Sequence, residues 1–330
     1  MSESKKYVDY LIKDFKSWPK YKYDTVYFGG GTPSLLEPSE IGRILKEIEI
    51  TENAEITLEL NPATANLKKL KEFRENGINR LSIGIQSFNN EILKTLGRLH
   101  SAEKAKETFY NARKAGFDNI SIDLMFAVPN QGIGELKKDL ETIKELNPEH
   151  ISIYSLIWEE GTPFWDMLQQ GTMKACDNDI EADMFELIID TLTDMGYTHY
   201  EISNFAKTGK EARHNSKYWE NKEYIALGIG ASFYTERFRG KNLLGFNEYY
   251  EAIDKGEKPW FESEKVDNPK EYEYMLGLRL LQEGIVPTEE NIKITCEKLK
   301  NDGYLEIKSG KYLLTRKGIF FANYVFEQVL

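Results

Sequence analysis

The chain carries one glycine-rich turn, Gly29-Gly30-Gly31-Thr32-Pro33, directly after a short run of β-branched and aromatic residues. Consecutive glycines let the backbone approach a ligand closely and point its N–H and C=O groups at it. The turn lacks the glycine spacing of a dinucleotide-binding fingerprint and the lysine of a phosphate-binding P-loop. A ligand-binding loop and a plain tight turn are therefore equally consistent with this segment.

Three further polar side chains occupy predicted strands or their C-terminal ends. An unpaired buried charge is costly, so we expect the carboxylate of Glu59 either to pair with a cation or to face the open end of the fold, where ligands enter. Gln86 offers a donor and an acceptor on one amide, which suits a ribose or a ligand carboxylate but also a hydrogen bond that closes the strand. Asp123 stands between two apolar residues, and we interpret it as a ligand for ribose hydroxyls in preference to a buried structural pair.

Arg98 and His214 are the remaining candidates for contact with a ligand. Arg98 could clamp a carboxylate, although a surface arginine is an equally good interpretation. His214 is followed by two large aromatic residues, which suits a flat apolar ligand or an axial metal contact and equally a satisfied loop histidine. His100 and His150 have no partner at metal-ligand spacing, so the sequence predicts structural histidines there.

Composition excludes several classes of protein. The 330 residues include 54 acidic and 43 basic ones, and the formal net charge of −11 disfavours a broad nucleic-acid or anionic-lipid footprint. No apolar run approaches the roughly 20 residues that span a bilayer, and the first residues lack the apolar core of a secretion signal. We therefore expect a cytoplasmic protein with no integral membrane segment and no nucleic-acid partner. Cys176 and Cys296 are far apart in sequence and are expected to be ordinary thiols, not metal ligands.

Short β-branched or aromatic runs alternate with segments of helical periodicity, which predicts a β/α repeat. Strands connected by helices in this way run parallel, and ligands of such sheets bind at the C-terminal ends of the strands. The polar candidates fall at or near those ends, so we expect them to share one mouth. The predicted strands are 25–28, 55–60, 80–85, 119–125 and 150–154, and the predicted helices between them are 38–48, 66–76, 101–115 and 134–146.

The remainder of the chain predicts a different organisation. Residues 176–195 read as a long helix, and residues 272–281, 289–301 and 315–330 read as helices around a hairpin with Ser309-Gly310 at its turn. Helices with such a wing are typical of a small partner or packing module. We predict three domains, with a β/α barrel in 1–165, its completion in 166–260 and a winged-helix-like domain in 261–330.

The chain also begins with a predicted helix, 4–15, where a β/α fold would usually begin with a strand. We expect a preceding strand to be absent, which would leave the sheet edge beside residues 25–28 unpaired and apolar. Unpaired edges pair with other chains, so the sequence predicts a dimer through that edge or poor solubility.

Nearly the whole chain resembles the radical S-adenosylmethionine coproporphyrinogen oxidase family, the HemN and HemW proteins. Residues 200–206, Tyr-Glu-Ile-Ser-Asn-Phe-Ala, and 213–219, Arg-His-Asn-Ser-Lys-Tyr-Trp, resemble the haem-chaperone branch more than the true oxidase. The other segments that carry the resemblance are 27–36, 58–64, 79–101, 119–129, 151–164 and 214–232.

The resemblance implies an α/β fold, a partial (β/α)6 radical-SAM barrel without its first strand, followed by a C-terminal HemN-type domain. It implies S-adenosylmethionine and haem or a porphyrin as ligands, and a haem-acceptor protein as a partner. The implied roles are Gly30, Gly31 and Thr32 at the methionine amino group, Glu59 and Arg98 at its amino-acid end, Gln86 and Asp123 at the ribose and adenosine, and His214 as haem ligand.

The chain departs from the family pattern in its cysteines. The family binds a [4Fe–4S] cluster through a Cys-x-x-x-Cys-x-x-Cys loop, and this sequence contains no such motif. We expect no catalytic residue and no radical chemistry in the chain as given, because the cluster supplies the electron. A radical protein whose start was placed too far downstream, a cluster-less haem carrier, an oxygen-independent coproporphyrinogen III dehydrogenase and a remnant without a ligand all stay open.

Overall fold

The computed structural model describes residues 3–330, which form a mixed α/β protein. The strands are β1 (Tyr23–Phe28), β2 (Ile50–Leu60), β3 (Arg80–Gln86), β4 (Ile120–Phe126), β5 (His150–Ser155), β6 (Thr198–Glu201), β7 (Asn204–Ala206), β8 (Ser232–Thr235), β9 (Phe238–Asn242), β10 (Trp260–Lys265), β11 (Leu305–Lys308) and β12 (Lys311–Leu314). The helices are α1 (Glu3–Ser17), α2 (Pro38–Glu47), α3 (Leu67–Glu75), α4 (Asn90–Thr95), α5 (Ala102–Lys114), α6 (Ile133–Leu146), α7 (Pro163–Gln169), α8 (Asn178–Asp194), α9 (Arg213–Trp219), α10 (Phe246–Lys255), α11 (Lys270–Gly277), α12 (Glu290–Asn301), α13 (Arg316–Phe320) and α14 (Ala322–Gln328), with a 3-10 turn at Pro33–Leu35.

Seven strands form the main sheet in the order β1-β2-β3-β4-β5-β7-β6. The pairs from β2 to β5 are parallel, as their helical connections predict, while β7 pairs antiparallel with both β5 and β6. The predicted α/β class is therefore confirmed, and all five predicted strands are present. The antiparallel end of the sheet was not predicted, because two strands of 4 and 3 residues are too short to show a periodic pattern.

The chain divides into two compact units. The first unit contains the described residues up to Gly30, Leu36–Glu55 and Ala212–Leu330, and the second contains Gly31–Leu35 and Ile56–Glu211. The division into three domains at 165 and 260 stays a prediction.

In the second unit, the strands have one apolar and one polar face. Leu58, Ile83 and Ile122 are fully buried on the apolar face, and the connecting helices add the buried Leu70 and Phe109. Successive residues of a strand point to opposite sides, so the polar residues at alternate positions share the other face. This polar face of the sheet consists of Thr57, Glu59, Arg80, Ser82, Gln86, Ser121, Asp123, His150 and Tyr154.

In the first unit, aromatic side chains join α1 to α10. Tyr10 stacks on Tyr250 with ring centroids 4.2 Å apart, and the fully buried Tyr249 donates a 2.7 Å hydrogen bond to the buried carboxylate of Asp14. A three-stranded antiparallel sheet, β10-β9-β8, belongs to the same unit and was not predicted. Its middle strand reads Phe-Arg-Gly-Lys-Asn, which lacks the apolar alternation of a typical strand.

The C-terminal part of the first unit contains the predicted hairpin. β11 pairs antiparallel with β12 around Ser309 and Gly310, whose φ angles of 51° and 80° are those of a type I′ turn. The single helix predicted for 315–330 is wrong, because the structure has two helices, α13 and α14, with Phe321 between them at φ −109°. The ring of Phe321 lies edge-on to Tyr304, with ring centroids 5.8 Å apart.

Among the helices within residues 3–330, none combines the length and the apolar character that a membrane crossing requires.

Candidate functional site

Asp123 is the central residue of the polar face. It lies on β4 directly opposite Gly84 of β3, and its half-buried carboxylate accepts hydrogen bonds from the hydroxyls of Ser82 at 3.0 Å and Ser121 at 3.3 Å. Burial raises the pKa of Asp123, while the two serine hydroxyls and the charges of two arginines oppose that rise. The carboxylate is thus held by fixed donors and keeps an opening toward solvent.

A local change in strand geometry redirects the side chain of Gln86. The pairing of β3 with β4 shifts between Gly84 and Gln86, and the backbone of Gln86 has a φ of 72°. Bulges and left-handed non-glycine residues cost free energy and are concentrated at functional sites, where they redirect a side chain. The amide folds over Gly84, since a Cβ there would lie 3.0 Å from Gln86 Nε2.

Tyr154 connects the predicted binding residues. Its hydroxyl, at the C-terminal end of β5, donates a 3.2 Å hydrogen bond to Gln86 Oε1. Burial and the charge of Asp123 raise the pKa of Tyr154 to about 12. The charges of Arg98, which lowers this pKa, and Glu59, which raises it, also act on the phenol. Gln86 therefore contacts Tyr154 directly, and the charges of Asp123, Arg98 and Glu59 act on the same phenol.

The glycine turn follows β1. Gly30 has a φ of 97°, a conformation that L side chains rarely adopt, so glycine is required there by the backbone alone. Gly31 has no such requirement, and a Cβ added to either glycine would meet no atom within 4 Å. Thr32 is half-buried at the start of the 3-10 turn, where its carbonyl accepts from the N–H of Leu35 at 3.0 Å.

His214 lies on α9 in the first unit, where each ring nitrogen has a partner. Nδ1 is 2.9 Å from the Thr25 hydroxyl and Nε2 is 2.7 Å from the Tyr218 hydroxyl. The imidazole also stacks on Tyr27, with ring centroids 5.0 Å apart. The N–H groups of Arg213 and His214 at the helix start donate to the carboxylate of Glu55 at 3.1 and 2.9 Å.

Comparison with known proteins identifies the family. The profile of the Radical SAM superfamily matches residues 2–143. The haem chaperone HemW of Lactococcus lactis is 36% identical, with 98% of this chain and 89% of that protein covered. The chain belongs to the HemW family of radical SAM proteins. The haem chaperone HemW of Escherichia coli is a further relative, 32% identical over 98% of this chain and 89% of its own length.

The fold of this HemW-family chain is that of a radical SAM half-barrel. Coproporphyrinogen III oxidase (HemN) from Escherichia coli, described as a radical SAM enzyme, superimposes with a TM-score of 0.81 over 99% of this chain and 83% of its own. The sequences are only 20% identical, so this likeness shows the fold alone. The predicted partial barrel is confirmed.

Membership of the radical SAM superfamily implies S-adenosylmethionine and a [4Fe–4S] cluster as cofactors. The polar face and Arg98 together fit the first, because their carboxylates, amide and guanidinium match an ammonium, a ribose diol and a carboxylate. The cluster finds no matching donor set, since residues 3–330 contain no group of three or more His, Cys, Asp or Glu side chains that could hold a metal ion. Burial raises the pKa of the Cys296 thiol to about 11, and burial and nearby carboxylates raise that of Cys176, whereas metal ligands are thiolates.

The hydroxyls of Ser82 and Ser121 are part of the site, but they were not predicted as binding groups because no chemical motif marks them. Polar residues at alternate positions along β3 and β4 were the available signal, because alternation in a buried strand indicates a second, polar face. His150 was predicted to be structural, and it is buried on the same face of the sheet.

The side chain of Asp139 holds the segment that follows Gln86. Because its carboxyl group is buried, we expect the stability of the protein to depend on pH. Its buried carboxylate accepts from the Ser87 hydroxyl at 2.7 Å and the Phe88 N–H at 2.8 Å, and burial raises its pKa to about 6. The carboxyl group of Asp139 therefore binds its proton more tightly in the folded chain than in the unfolded chain. The resulting stability is fully present below about pH 4 and is lost as the pH rises through about 6, a total of roughly 2–3 kcal/mol.

Denaturant unfolding of the wild type and Asp139→Asn at pH 5 and pH 7.5 measures this contribution. On lowering the pH, the wild type should gain about 1 kcal/mol relative to the variant. Burial keeps the pKa of His150 well below its usual range, which opposes this gain, but equally in both proteins. Parallel pH dependences of the two proteins would contradict the assignment.

Proposed function

We propose that this chain binds S-adenosylmethionine on the polar face of the second unit and handles haem as its cargo, as the name haem chaperone states for its HemW relatives. One observation carries the first part: Tyr154 at the end of β5 donates to Gln86, on the face of the sheet that also holds Glu59 and Asp123. Carboxylates, an amide and a guanidinium in one half-buried place complement a cofactor with ammonium, carboxylate and ribose groups.

The proposed roles follow the chemistry of each side chain. The carboxylate of Glu59 would pair with the ammonium of the methionine portion, and the guanidinium of Arg98 with its carboxylate. Asp123 and Gln86 would hold the ribose and adenosine portion. Bound S-adenosylmethionine supplies a sulfonium centre, and the groups named here bind and orient it. The backbone of Gly30, Gly31 and Thr32 would add hydrogen bonds to the methionine amino group.

Calorimetric titration of the purified chain with S-adenosylmethionine tests this proposal. We expect saturable binding at one site and competition by S-adenosylhomocysteine, which keeps the adenosine and amino-acid portions. Methionine alone and adenosine alone should bind far more weakly, since each engages half of the site. Failure of both sulfur nucleotides to bind would overturn the proposal.

Gly31→Ala separates the binding role of the turn from a structural role. A Cβ at this position meets no atom within 4 Å and the backbone φ is not left-handed, so the free energy of unfolding should change by less than about 0.5 kcal/mol. If the turn carries backbone contacts to the ligand, the added methyl group should weaken S-adenosylmethionine binding about tenfold or more. Thermal unfolding measures the stability of the variant, and calorimetry on the same samples measures its affinity for S-adenosylmethionine. An unchanged affinity would show that the segment is a plain turn without contacts to the ligand.

For haem, we propose His214 as the iron ligand. Its imidazole is half-buried and stacks on Tyr27, and the Tyr218 hydroxyl would have to leave Nε2 for iron to bind there. Titration with haemin should produce a shifted Soret band that His214→Ala weakens. Tyr218→Phe should strengthen binding, because it removes the competing hydrogen bond. A Soret band that is the same in all three proteins would place haem elsewhere.

An association through the edge of the main sheet also remains a prediction. β1 is the terminal strand of that sheet, and an unpaired edge can pair with a second chain. Size-exclusion chromatography with light scattering should show a dimer that dissociates when a proline replaces Val26. A monomer at all concentrations would contradict it. A haem-acceptor protein and a cytoplasmic location are likewise proposals drawn from the family.

A further inference from the structure

A line of buried hydrogen-bonding groups leads from Asp123 into the interior of the second unit. Ser121 Oγ is 3.3 Å from Asp123 Oδ1 and 2.8 Å from His150 Nδ1. His150 Nε2 is in turn 2.8 Å from the hydroxyl of Tyr200. Ser121, His150 and Tyr200 are 0%, 1% and 6% exposed, so solvent does not compete for these bonds.

The fold places each member of this line. Ser121 and His150 are directly opposite each other in the parallel pairing of β4 with β5. Tyr200 lies on β6 where the pairing with β7 shifts between His199 and Glu201, so it is the extra residue of a bulge. Bulges redirect side chains, and this one lets a residue of β6 reach His150 on β5.

The direction of the hydrogen bonds follows from the acceptor at one end. A carboxylate accepts only, so the Ser121 hydroxyl donates to Asp123 and must use its lone pair toward His150. His150 then carries its proton on Nδ1 and accepts the Tyr200 hydroxyl at Nε2. Burial and the charge of Arg80 keep the pKa of His150 well below its usual range, so the imidazole is neutral and has one proton to place.

We propose that Ser121, His150 and Tyr200 are positioning residues that act on the bound ligand through Asp123. They form an oriented series of hydrogen bonds in which Tyr200 donates to His150, His150 donates to Ser121 and Ser121 donates to the carboxylate. None of the three reaches the mouth, whereas Asp123 is half-buried and open to it. This hydrogen-bonded chain of side chains fixes which lone pairs of the Asp123 carboxylate remain for a ribose diol. This inference rests on the proposed binding of S-adenosylmethionine.

The first test measures the direction of the chain without a ligand. Long-range ¹H–¹⁵N correlation spectra of the histidine rings distinguish Nδ1–H from Nε2–H, and the chain has only 4 histidines. The His150→Gln variant assigns the signal by its loss. We expect the Nδ1–H tautomer in the wild type and a change toward Nε2–H in Ser121→Ala, where the serine acceptor is gone. A wild-type Nε2–H signal would overturn the proposed direction.

The second test measures the effect on binding, with S-adenosylhomocysteine as the probe. Tyr200→Phe should lower its affinity about threefold to tenfold, because Asp123 loses its orienting chain. Tyr197→Phe is the matched control: Tyr197 is 5% exposed, three positions away, and donates a 2.7 Å bond to the carbonyl of Pro148 instead. Its affinity should stay within about 1.5-fold of the wild type, although both variants lose one buried hydrogen bond.

Equal affinities of the two tyrosine variants would overturn the positioning role. The ligand should also shift the His150 ring signals in the wild type and not in Ser121→Ala. If the wild type fails to bind the probe, the proposed function fails and the positioning role with it. The histidine tautomer would still report the direction of the chain, so the two failures are distinguishable.

Discussion

Asp123→Asn is expected to lower the affinity for S-adenosylmethionine by roughly a hundredfold. A carboxylate that accepts from two ribose hydroxyls contributes charge-assisted hydrogen bonds of about 1.5–3 kcal/mol each, and an amide presents only one acceptor in the same space. The variant should fold, because its amide oxygen can still accept from Ser82, which lies 3.0 Å from the present carboxylate. Calorimetric titration of both proteins measures the loss.

The residue that serves as a matched control lies just before the same strand. Asp118 is exposed just before β4 begins, at the end remote from the mouth, so Asp118→Asn makes the same chemical change outside the site. Its affinity should equal that of the wild type. An Asp123→Asn variant that binds as tightly as Asp118→Asn would show that the polar face does not hold the ribose.

Glu55→Ala is expected to destabilise the first unit by about 3 kcal/mol. α9 has no side-chain cap of its own at Ala212, and the buried Glu55 carboxylate accepts the N–H groups of Arg213 and His214 in its place. Removing it leaves two backbone donors unpaired at the start of a helix of 7 residues. The helix carries His214, so the haem-induced shift of the Soret band should weaken as well.

Glu52→Ala serves as the control, since Glu52 is exposed on the same strand, three positions earlier. Denaturant unfolding should place it within about 0.5 kcal/mol of the wild type. If Glu55→Ala and Glu52→Ala are equally stable, the capping role of Glu55 is wrong.

The β/α part of the fold was predictable because its signals are local. Each strand from β1 to β5 contains β-branched or aromatic residues, and α3 and α5 have the capping residues Asn66 and Ser101, which accept from Lys69 and Lys104. Strand ends then located Glu59, Gln86 and Asp123 without further information. The role of these three residues in binding a ligand stays a prediction.

The non-local features were not predictable from the sequence. Gln86 adopts a φ of 72° because of the way β3 meets β4, and no residue type demands it. The partners of His214 come from Thr25 and Tyr218, the first of them 189 positions away. Pairing over such distances depends on tertiary packing, which residue propensities do not encode.

The cap that Glu55 provides has a consequence for biosynthesis. A helix of 7 residues is too short to persist alone in water, and its anchoring carboxylate precedes His214 by 159 positions. During translation, β2 therefore leaves the ribosome long before the segment that it caps. The carboxylate of Glu55 therefore lacks these two backbone donors until residues 213 and 214 have been synthesised, so this part of the first unit can assemble only after α9 has emerged.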